Sequence, residues 1–343
     1  MRATLQDVAR KVGLSTTTVS LVLNNKPNRI SEGTRRKILA AARELNYRPN
    51  HIAVSMVTRQ TQTLGLILPD ISNPFFAELA RVIEDECSRY GYSVLYGNTH
   101  GSVKRDFEYL NIFLDRSVDA VIMSLSNSFG PDDSKRFLDI VKSANVPVIM
   151  VDRTPDAPGI VSVVLDHRLG GYLAAKHLLS LGHKRIGCIS GPENVPGAVQ
   201  RLEGFKNALE EAKIPFDSGL VYTGDFSAES GSRALPCLLD QNVTAVFACN
   251  DMMALGVYRA CRLYGIRIPD DISVVGFDDI YLSDFLDPPL TTVAQPIEDM
   301  GRECVRQAMA AIKSGTAGSG AFVFRPVLKV RGSCTQYTKG GNS

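Results

Sequence analysis

Apolar residues recur at helical spacing three times within the first fifty positions of the chain. Leu5, Val8, Ala9 and Val12 stand at i, i+3, i+4 and i+7, one face of a short amphipathic helix, and Thr4 followed three residues later by Asp7 is a capping pattern for its first turn. Gly13 ends that helix, Leu14 plugs the turn, and Ser15 caps a second helix. In this second helix Val19, Val22 and Leu23 make a buried side and leave Thr16, Thr17, Ser20 and Leu21 facing outward. Ser31 as a cap, with Ile38, Ala41, Ala42 and Leu45 at the same spacing, predicts a third helix that closes a small core. Two short helices across a tight glycine turn, walled by a third, form a helix-turn-helix.

After the polar run Thr58 to Thr63 the period changes. Short apolar runs (Leu64 to Leu68, Tyr92 to Tyr96, Ala120 to Leu125, Val146 to Val151, Arg185 to Ile189, Ala245 to Cys249, Ile272 to Phe277) alternate with helical patterns. Continuous strands separated by helices predict parallel sheets covered on both faces, an α/β fold. Ligands in such folds sit at the carboxyl ends of the strands. Here those ends are polar and aromatic: Asn73, Phe75 and Phe76, then Asp152-Arg153, Asn250-Asp251, Asp278-Asp279 and Gln295.

At 343 residues the chain has room for about two packed units and a small appendage, and 44% apolar residues supply their cores. Its 38 Lys+Arg and 36 Asp+Glu nearly balance, but unevenly along the chain. Residues 1–60 hold 11 basic and 3 acidic side chains and the remainder 27 and 33, so a module of about +8 precedes a body of about −6. A basic end on an acidic body is the footprint of a polyanion-binding module. The seven cysteines are scattered and never form a C-x-x-C pair, which fits free thiols in a reducing compartment and excludes a disulfide framework or zinc ribbon. The start is not signal-like and no apolar stretch reaches membrane-spanning length, so a cytoplasmic protein without a membrane partner is expected.

Catalytic signatures are missing. There is no G-x-x-x-x-G-K-[ST], H-E-x-x-H or G-x-S-x-G, and Gly315 to Gly320 follows a helical stretch instead of opening a helix after a strand. Asn250-Asp251 and Asp278-Asp279 suit helix capping and hydroxyl binding better than acid/base work. The five histidines have no ligand spacing, and His183 is expected in an exposed helix-to-strand turn. No enzymatic activity, metal or cofactor is expected.

Short hydroxyl side chains at the N-terminal end of a helix reach base edges when that helix lies in the DNA major groove. Thr16, Thr17 and Leu21 are the base-edge candidates. Ser15, Thr18, Ser20 and Asn24, with Arg10, Lys11, Lys26, Arg29 and Arg35, suit the phosphate backbone, and Thr4 and Leu5 are further DNA-binding candidates. The run from Thr4 to Asn24, TLQDVARKVGLSTTTVSLVLN, together with Leu45-Asn46-Tyr47-Arg48-Pro49-Asn50, resembles the headpiece of the LacI/GalR family of bacterial transcriptional regulators. The resemblance implies a DNA-binding headpiece over residues 1–49 and a hinge helix and linker over 50–63, with Asn50, Ala53 and Met56 at the DNA. Met56 is then the apolar wedge that unstacks a base step in the minor groove; alternatively it packs on Ile52, one turn away. Leu21, Val54 and Val57 stand where relatives commonly carry polar or basic residues, which leaves operator sequence and hinge stability open.

The body resembles the type I periplasmic sugar-binding fold that forms the effector core of the same family. This implies a two-lobed core over 64–334 (lobe one 64–160 and 292–321, lobe two 161–291 and 322–334) and a polar tail, 335–343, without a tetramerising leucine heptad. Matched residue by residue, Asn73, Phe75, Phe76, Asp152, Arg153, Arg201, Phe226, Asn250, Asp278 and Gln295 fall where ribose-type binding proteins hold their ligand. Sugars need flat apolar faces for their C–H side and bidentate polar groups for their hydroxyls, and this set contains both. Val195, Pro196 and Gly197 offer almost no side-chain donor where purine-responsive relatives read a base, which disfavours a purine. The resemblance thus implies a homodimeric repressor on pseudo-palindromic double-stranded operator DNA, controlled by a small sugar with ribose favoured. The alternative is a catabolite-control type regulator governed by a partner phosphocarrier protein; induction and corepression both remain open.

Overall fold

In the computed structural model the chain parts into two units, Met1–Thr61 and Gln62–Ser343. Residues 3–23, 29–47, 60–144, 146–155, 159–316 and 318–338 are described. The first unit has helices α1 (Leu5–Val12), α2 (Thr16–Leu23) and α3 (Glu32–Glu44). A capping box starts α1: Thr4 Oγ1 accepts the Asp7 N–H at 3.3 Å while the Thr4 N–H donates to the Asp7 carboxylate at 2.9 Å. Gly13 ends it with φ +70°, a left-handed conformation that costs glycine nothing. Ser15 Oγ accepts the Thr18 N–H at 3.1 Å and so caps α2, and Ser31 caps α3 through the Thr34 N–H. Val8, Ala9, Val19, Val22, Ile38, Ala41 and Ala42 are buried together, ringed by half-buried Leu5, Leu14, Leu23 and Tyr47.

The second unit begins with β1 (Thr63–Leu68), α4 (Pro74–Arg89), β2 (Ser93–Asn98), α5 (Val103–Asp115), β3 (Ala120–Met123), α6 (Pro131–Ala144), β4 (Val148–Val151) and β5 (Val161–Leu165). It continues with α7 (His167–Ser180), β6 (Ile186–Ser190), α8 (Pro196–Glu211), β7 (Val221–Thr223), α9 (Ala228–Leu239), β8 (Ala245–Ala248), α10 (Asp251–Tyr264) and β9 (Ser273–Asp278). It ends with β10 (Thr291–Ala294), α11 (Ile297–Ser314), β11 (Gly320–Phe324) and β12 (Val327–Lys329). One sheet has the order β11-β5-β4-β3-β1-β2 and the other β12-β10-β9-β8-β6-β7, the same winding twice. Neighbouring strands are parallel except β10 with β12. The strands β3, β4, β6, β8 and β9 are buried along their whole length, as strands covered on both faces must be. In the first lobe Leu79, Ile83 and Cys304 join one core with β1, and Phe107, Leu110, Phe113 and Phe137 of α5 and α6 join another.

The chain changes sheet after β5, after β10 and after β11. These crossings come a few residues later than the expected boundaries at 160/161, 291/292 and 321/322. The cause is local: β5 alternates buried and half-buried residues instead of forming a continuous apolar run. Likewise β10 opens with two threonines, buried because Ser333 Oγ accepts the Thr291 N–H and Asp251 accepts the Thr292 hydroxyl. His183 also departs from expectation. It lies in the turn after α7 but is buried, with Nδ1 2.9 Å from Thr244 Oγ1 and Nε2 3.1 Å from both Ser273 Oγ and the Thr335 carbonyl. The chain's own C-terminal segment covers that turn, with the Tyr337 N–H donating to the Leu181 carbonyl at 2.8 Å. Among the described residues no helix is long and apolar enough to cross a membrane.

Candidate functional site

On the first unit Thr16 and Thr17 are exposed at the N-terminal end of α2, with Ser20 and Leu21 half-buried one turn on. Thr4, Ser15, Arg10, Lys11 and Arg29 are also exposed, and Leu5, Thr18 and Arg35 half-buried. Part of this polar set is already engaged. Thr4 serves the capping box, and Ser15 Oγ lies 2.8 Å from Thr18 Oγ1. Lys11 pairs with Glu44 at 2.5 Å, and Arg10 stands 3.7 Å from Asp7. Such exposed pairs are weak, so both cations can exchange their partner for a phosphate. Asn24, Lys26, Asn50, Ala53 and Met56, with the expected hinge helix, lie outside the described residues.

Within the second unit all ten residues matched to sugar-binding positions line one cavity of about 240 Å³ between the two sheets' carboxyl ends. From the first lobe come Asn73, Phe75 and Phe76 after β1, and Asp152 and Arg153 after β4. From the second come Arg201 on α8, Phe226 after β7, Asn250 after β8, Asp278 at the end of β9 and Gln295 after β10. The backbone bends sharply to aim three of them inward: Asp152, Phe226 and Asp278 have φ of +60°, +70° and +113°. Left-handed backbone at residues with a Cβ costs about 1–3 kcal/mol each and persists where surrounding packing over-determines it.

Arg201 is the best-anchored group. Its guanidinium donates to the Cys249 carbonyl and, at 3.2 Å, to His167 Nδ1; it lies 3.7 Å over the Phe277 ring and 3.8 Å from the Asp278 carboxylate. Its backbone is set by an unusually close crossing of α7 and α8, where a Cβ at Gly171 would stand 1.9 Å from the Arg201 carbonyl oxygen. Arg153 sits over the Phe76 and Phe226 rings at 5.3 and 5.6 Å, with its Nε 3.6 Å from Asp152. Phe76 and Phe226 thereby present flat apolar surface beside a cation.

Burial governs the ionisation of the cluster. It pushes Asp278 up to about 8, a rise that Arg201 opposes and Asp251 reinforces. Asp152 is raised by burial, against the pull of Arg153 and Arg201, and Arg153 is lowered by the same loss of solvent. His167 is driven well below the usual imidazole range by burial, then by Arg201 and Arg153, so it is neutral at pH 7. Because Nδ1 accepts from Arg201, the proton sits on Nε2, which faces Asp152 Oδ1 at 3.8 Å.

Two amides differ in availability. Asn250 caps α10 by accepting the Met253 N–H at 2.9 Å and donates to the Phe226 carbonyl at 3.0 Å, so much of its capacity goes to positioning. Gln295, which lines the cavity, donates to Asp278 at 2.7 Å, while its Oε1 is buried and accepts nothing. His167, Thr154 and Ser162 also line the cavity and were not among the expected residues. Ser162 and His167 accompany β5, whose alternating pattern hid both the strand and its carboxyl end, whereas Thr154 follows Arg153 after β4; Asp166 before His167, a cap for α7, was the available signal. The Asn250-Asp251 pair is structural on its second member: Asp251 accepts from the Ile280 N–H and the Ser283 and Thr292 hydroxyls. Among the described residues no group of three or more His, Cys, Asp or Glu is placed to hold a metal ion.

The family described as bacterial regulatory proteins, lacI family, matches residues 4–50, and the periplasmic binding protein-like domain matches 175–334. The HTH-type transcriptional regulator DegA of Bacillus subtilis is 40% identical over 334 residues, 97% of this chain and 98% of that protein. The HTH-type transcriptional repressor PurR of Photobacterium profundum is 35% identical over 334 residues, 96% and 98% of the two chains. Among solved structures, the lac repressor dimer bound to operator and the anti-inducer ONPF matches with a TM-score of 0.85 at 30% identity, over 98% of this chain and 100% of that one. A LacI family transcriptional regulator from Enterococcus faecium with bound ribose matches with a TM-score of 0.72 at 34% identity, over 80% and 100%. These relatives are transcriptional regulators and not enzymes, and the similarity runs through helix-turn-helix and two-lobed core alike: the chain belongs to the lacI family of bacterial regulatory proteins.

Proposed function

We propose that this transcriptional repressor binds pseudo-palindromic operator DNA as a cytoplasmic homodimer and is controlled by a small sugar, ribose favoured, held between its lobes. The observation that carries the effector assignment is the convergence of two carboxylates, two guanidiniums, an amide with an unpartnered buried oxygen and three phenyl rings on one cavity. At about 240 Å³ that cavity is below the roughly 300–1,000 Å³ of drug-sized sites, a scale suited to a monosaccharide. Val195, Pro196 and Gly197 line it without side-chain hydrogen-bonding groups, which weighs against a purine despite the PurR relative. The ribose-bound relative supports a pentose by similarity.

Three crossing segments join the lobes, so a ligand touching both biases their closure. A coupling of about 3 kcal/mol, within the usual range, changes operator affinity by over a hundredfold. Isothermal titration of the full chain with D-ribose, other pentoses, hexoses and hypoxanthine tests the assignment. Saturable binding of ribose, abolished in Arg201→Ala and Asp278→Ala, is expected. Binding of none of them moves control by a phosphocarrier protein to the front.

A further inference from the structure

A guanidinium recognises paired hydroxyls only when its plane is fixed. In Arg201 three contacts fix it: the Phe277 ring beneath, the Cys249 carbonyl at Nη1, and His167 Nδ1, which accepts from Nε at 3.2 Å. Of its five N–H groups two are spent there, and three remain for a ligand and for Asp278, whose Oδ1 stands 3.8 Å from Nη1. His167 is itself immobilised. It is 5% exposed, its ring centroid lies 6.1 Å from that of Phe277, and a Cβ at Gly197, in the first turn of α8, would stand 3.0 Å from both its Cδ2 and its Nε2. The bare backbone at Gly197 therefore makes room for the imidazole. The ring's other nitrogen faces the opposite lobe. His167 begins α7 two residues after β5, on the first segment that crosses between the sheets, while Asp152 follows β4 in the first lobe. Nε2 stands 3.8 Å from Asp152 Oδ1, about 1 Å beyond a charge-assisted hydrogen bond, and Arg153 Nε stands 3.6 Å from Asp152 Oδ2. The Asp152 N–H donates to the Val163 carbonyl of β5 at 3.0 Å, which keeps both groups beside the crossing segment. Rotation of one lobe on the other moves atoms least next to the segments that join them, and a shift of about 1 Å is the scale expected there.

We infer that His167 is a positioning residue of the cleft: Nδ1 holds Arg201 in its ligand-facing orientation, and the Nε2–H is the donor that Asp152 of the first lobe takes up when the lobes close. This rests on the sugar assignment for the cavity. The two nitrogens divide the work. Nδ1 serves affinity, because without it the Arg201 Nε–H is buried with no acceptor and the guanidinium is free to turn. The Nε2–H serves transmission, because a bond made only in the closed form shifts the equilibrium between open and closed lobes. An imidazole suits both roles, since a permanently charged arginine at Nδ1 fixes the proton on Nε2.

Two amides separate the roles, since the Asn side-chain oxygen falls near the place of Nδ1 and the Gln side-chain nitrogen near that of Nε2. Neither touches the cap of α7, which Asp166 supplies by accepting the Leu169 N–H at 2.9 Å. D-ribose is titrated into the full chain and into His167→Ala, His167→Asn and His167→Gln. Each is then followed by anisotropy on a duplex selected with the wild-type chain, with and without saturating ribose. His167→Ala and His167→Gln should bind ribose at least about tenfold more weakly, and His167→Asn should recover affinity to within about threefold of wild type. The Asn variant should nevertheless change its DNA affinity by less than about threefold on adding ribose, where the wild type changes by about tenfold or more. Equal ribose affinity in wild type and all three variants overturns the inference while the sugar assignment stands. So does an equal loss in all three, or a DNA response to ribose in His167→Asn equal to that of wild type. Absence of ribose binding by the wild type overturns the inference and the sugar assignment together.

Discussion

Gly171→Ala asks whether the close crossing of α7 and α8 positions Arg201, the arginine proposed to hold the ligand. The added Cβ would lie 1.9 Å from the Arg201 carbonyl oxygen and 2.7 Å from its carbonyl carbon. Non-bonded carbon and oxygen need about 3.2 Å, so the two backbones must part by about 1.3 Å. No side-chain torsion can absorb the movement, because a Cβ is fixed to its own backbone and meets main chain, and the crossing is as tight on its other side, where a Cβ at Gly204 would stand 1.9 Å from the Arg168 carbonyl oxygen. Overpacking a closed core costs about 1–3 kcal/mol, and a main-chain clash belongs at the upper end. With about 1–3 kcal/mol per molar urea as the slope, the core's unfolding midpoint falls by about 1 M or more. The chain has no Trp, so circular dichroism is the suitable probe. Gly33→Ala, in α3, is the control: its Cβ meets nothing within 4 Å, and helix propensity should raise headpiece stability by about 0.5–1 kcal/mol. In Gly171→Ala a shifted Arg201 should also bind ribose at least about tenfold more weakly, since misplacement by about 1 Å is enough. A wild-type midpoint with wild-type ligand affinity would show that the crossing tolerates a Cβ and does not position Arg201.

Three further outcomes follow from the same geometry. Thr17→Ala should weaken binding to the preferred DNA by about 1 kcal/mol and relax specificity at one base pair in fluorescence anisotropy; an unchanged profile would place the docking face elsewhere. Asp278, held at about 8, is above its unfolded value, so its contribution to stability is full below about pH 4 and is lost as pH rises through about 8. The Asp278→Asn core should accordingly lose stability less steeply over that window, and wild-type protein titrated with ribose at pH 7 should release protons that the variant does not; identical pH slopes would contradict this. Asp251→Ala strands the Ile280 N–H and the Ser283 and Thr292 hydroxyls and should cost about 3 kcal/mol in urea melts, with a loss under about 1 kcal/mol counting against the network.

Legibility followed the range of the interactions. The three headpiece helices could be read because caps such as Thr4 and Ser31 act within one turn and apolar spacing is local. Strands buried on both faces showed as apolar runs, and the resemblance placed ten side chains that the structure gathers around one cavity. Hidden were elements whose burial depends on distant partners. β5 has alternating burial and pairs on its outer side with β11, about 160 residues on, and the threonines of β10 are held by Asp251 and Ser333. His167 went unseen with β5. His183 looked exposed because the segment that covers it lies 152 residues away.

Occupancy of the cleft is proposed to set affinity for DNA. The most direct measurement selects duplexes from a random pool with the purified full chain, then follows anisotropy of the selected duplex with and without saturating D-ribose. A pseudo-palindrome with half-sites about one helical turn apart is expected, with a change in affinity of about tenfold or more on adding ribose. Selected DNA whose affinity is the same with the cleft shown to be filled would contradict it.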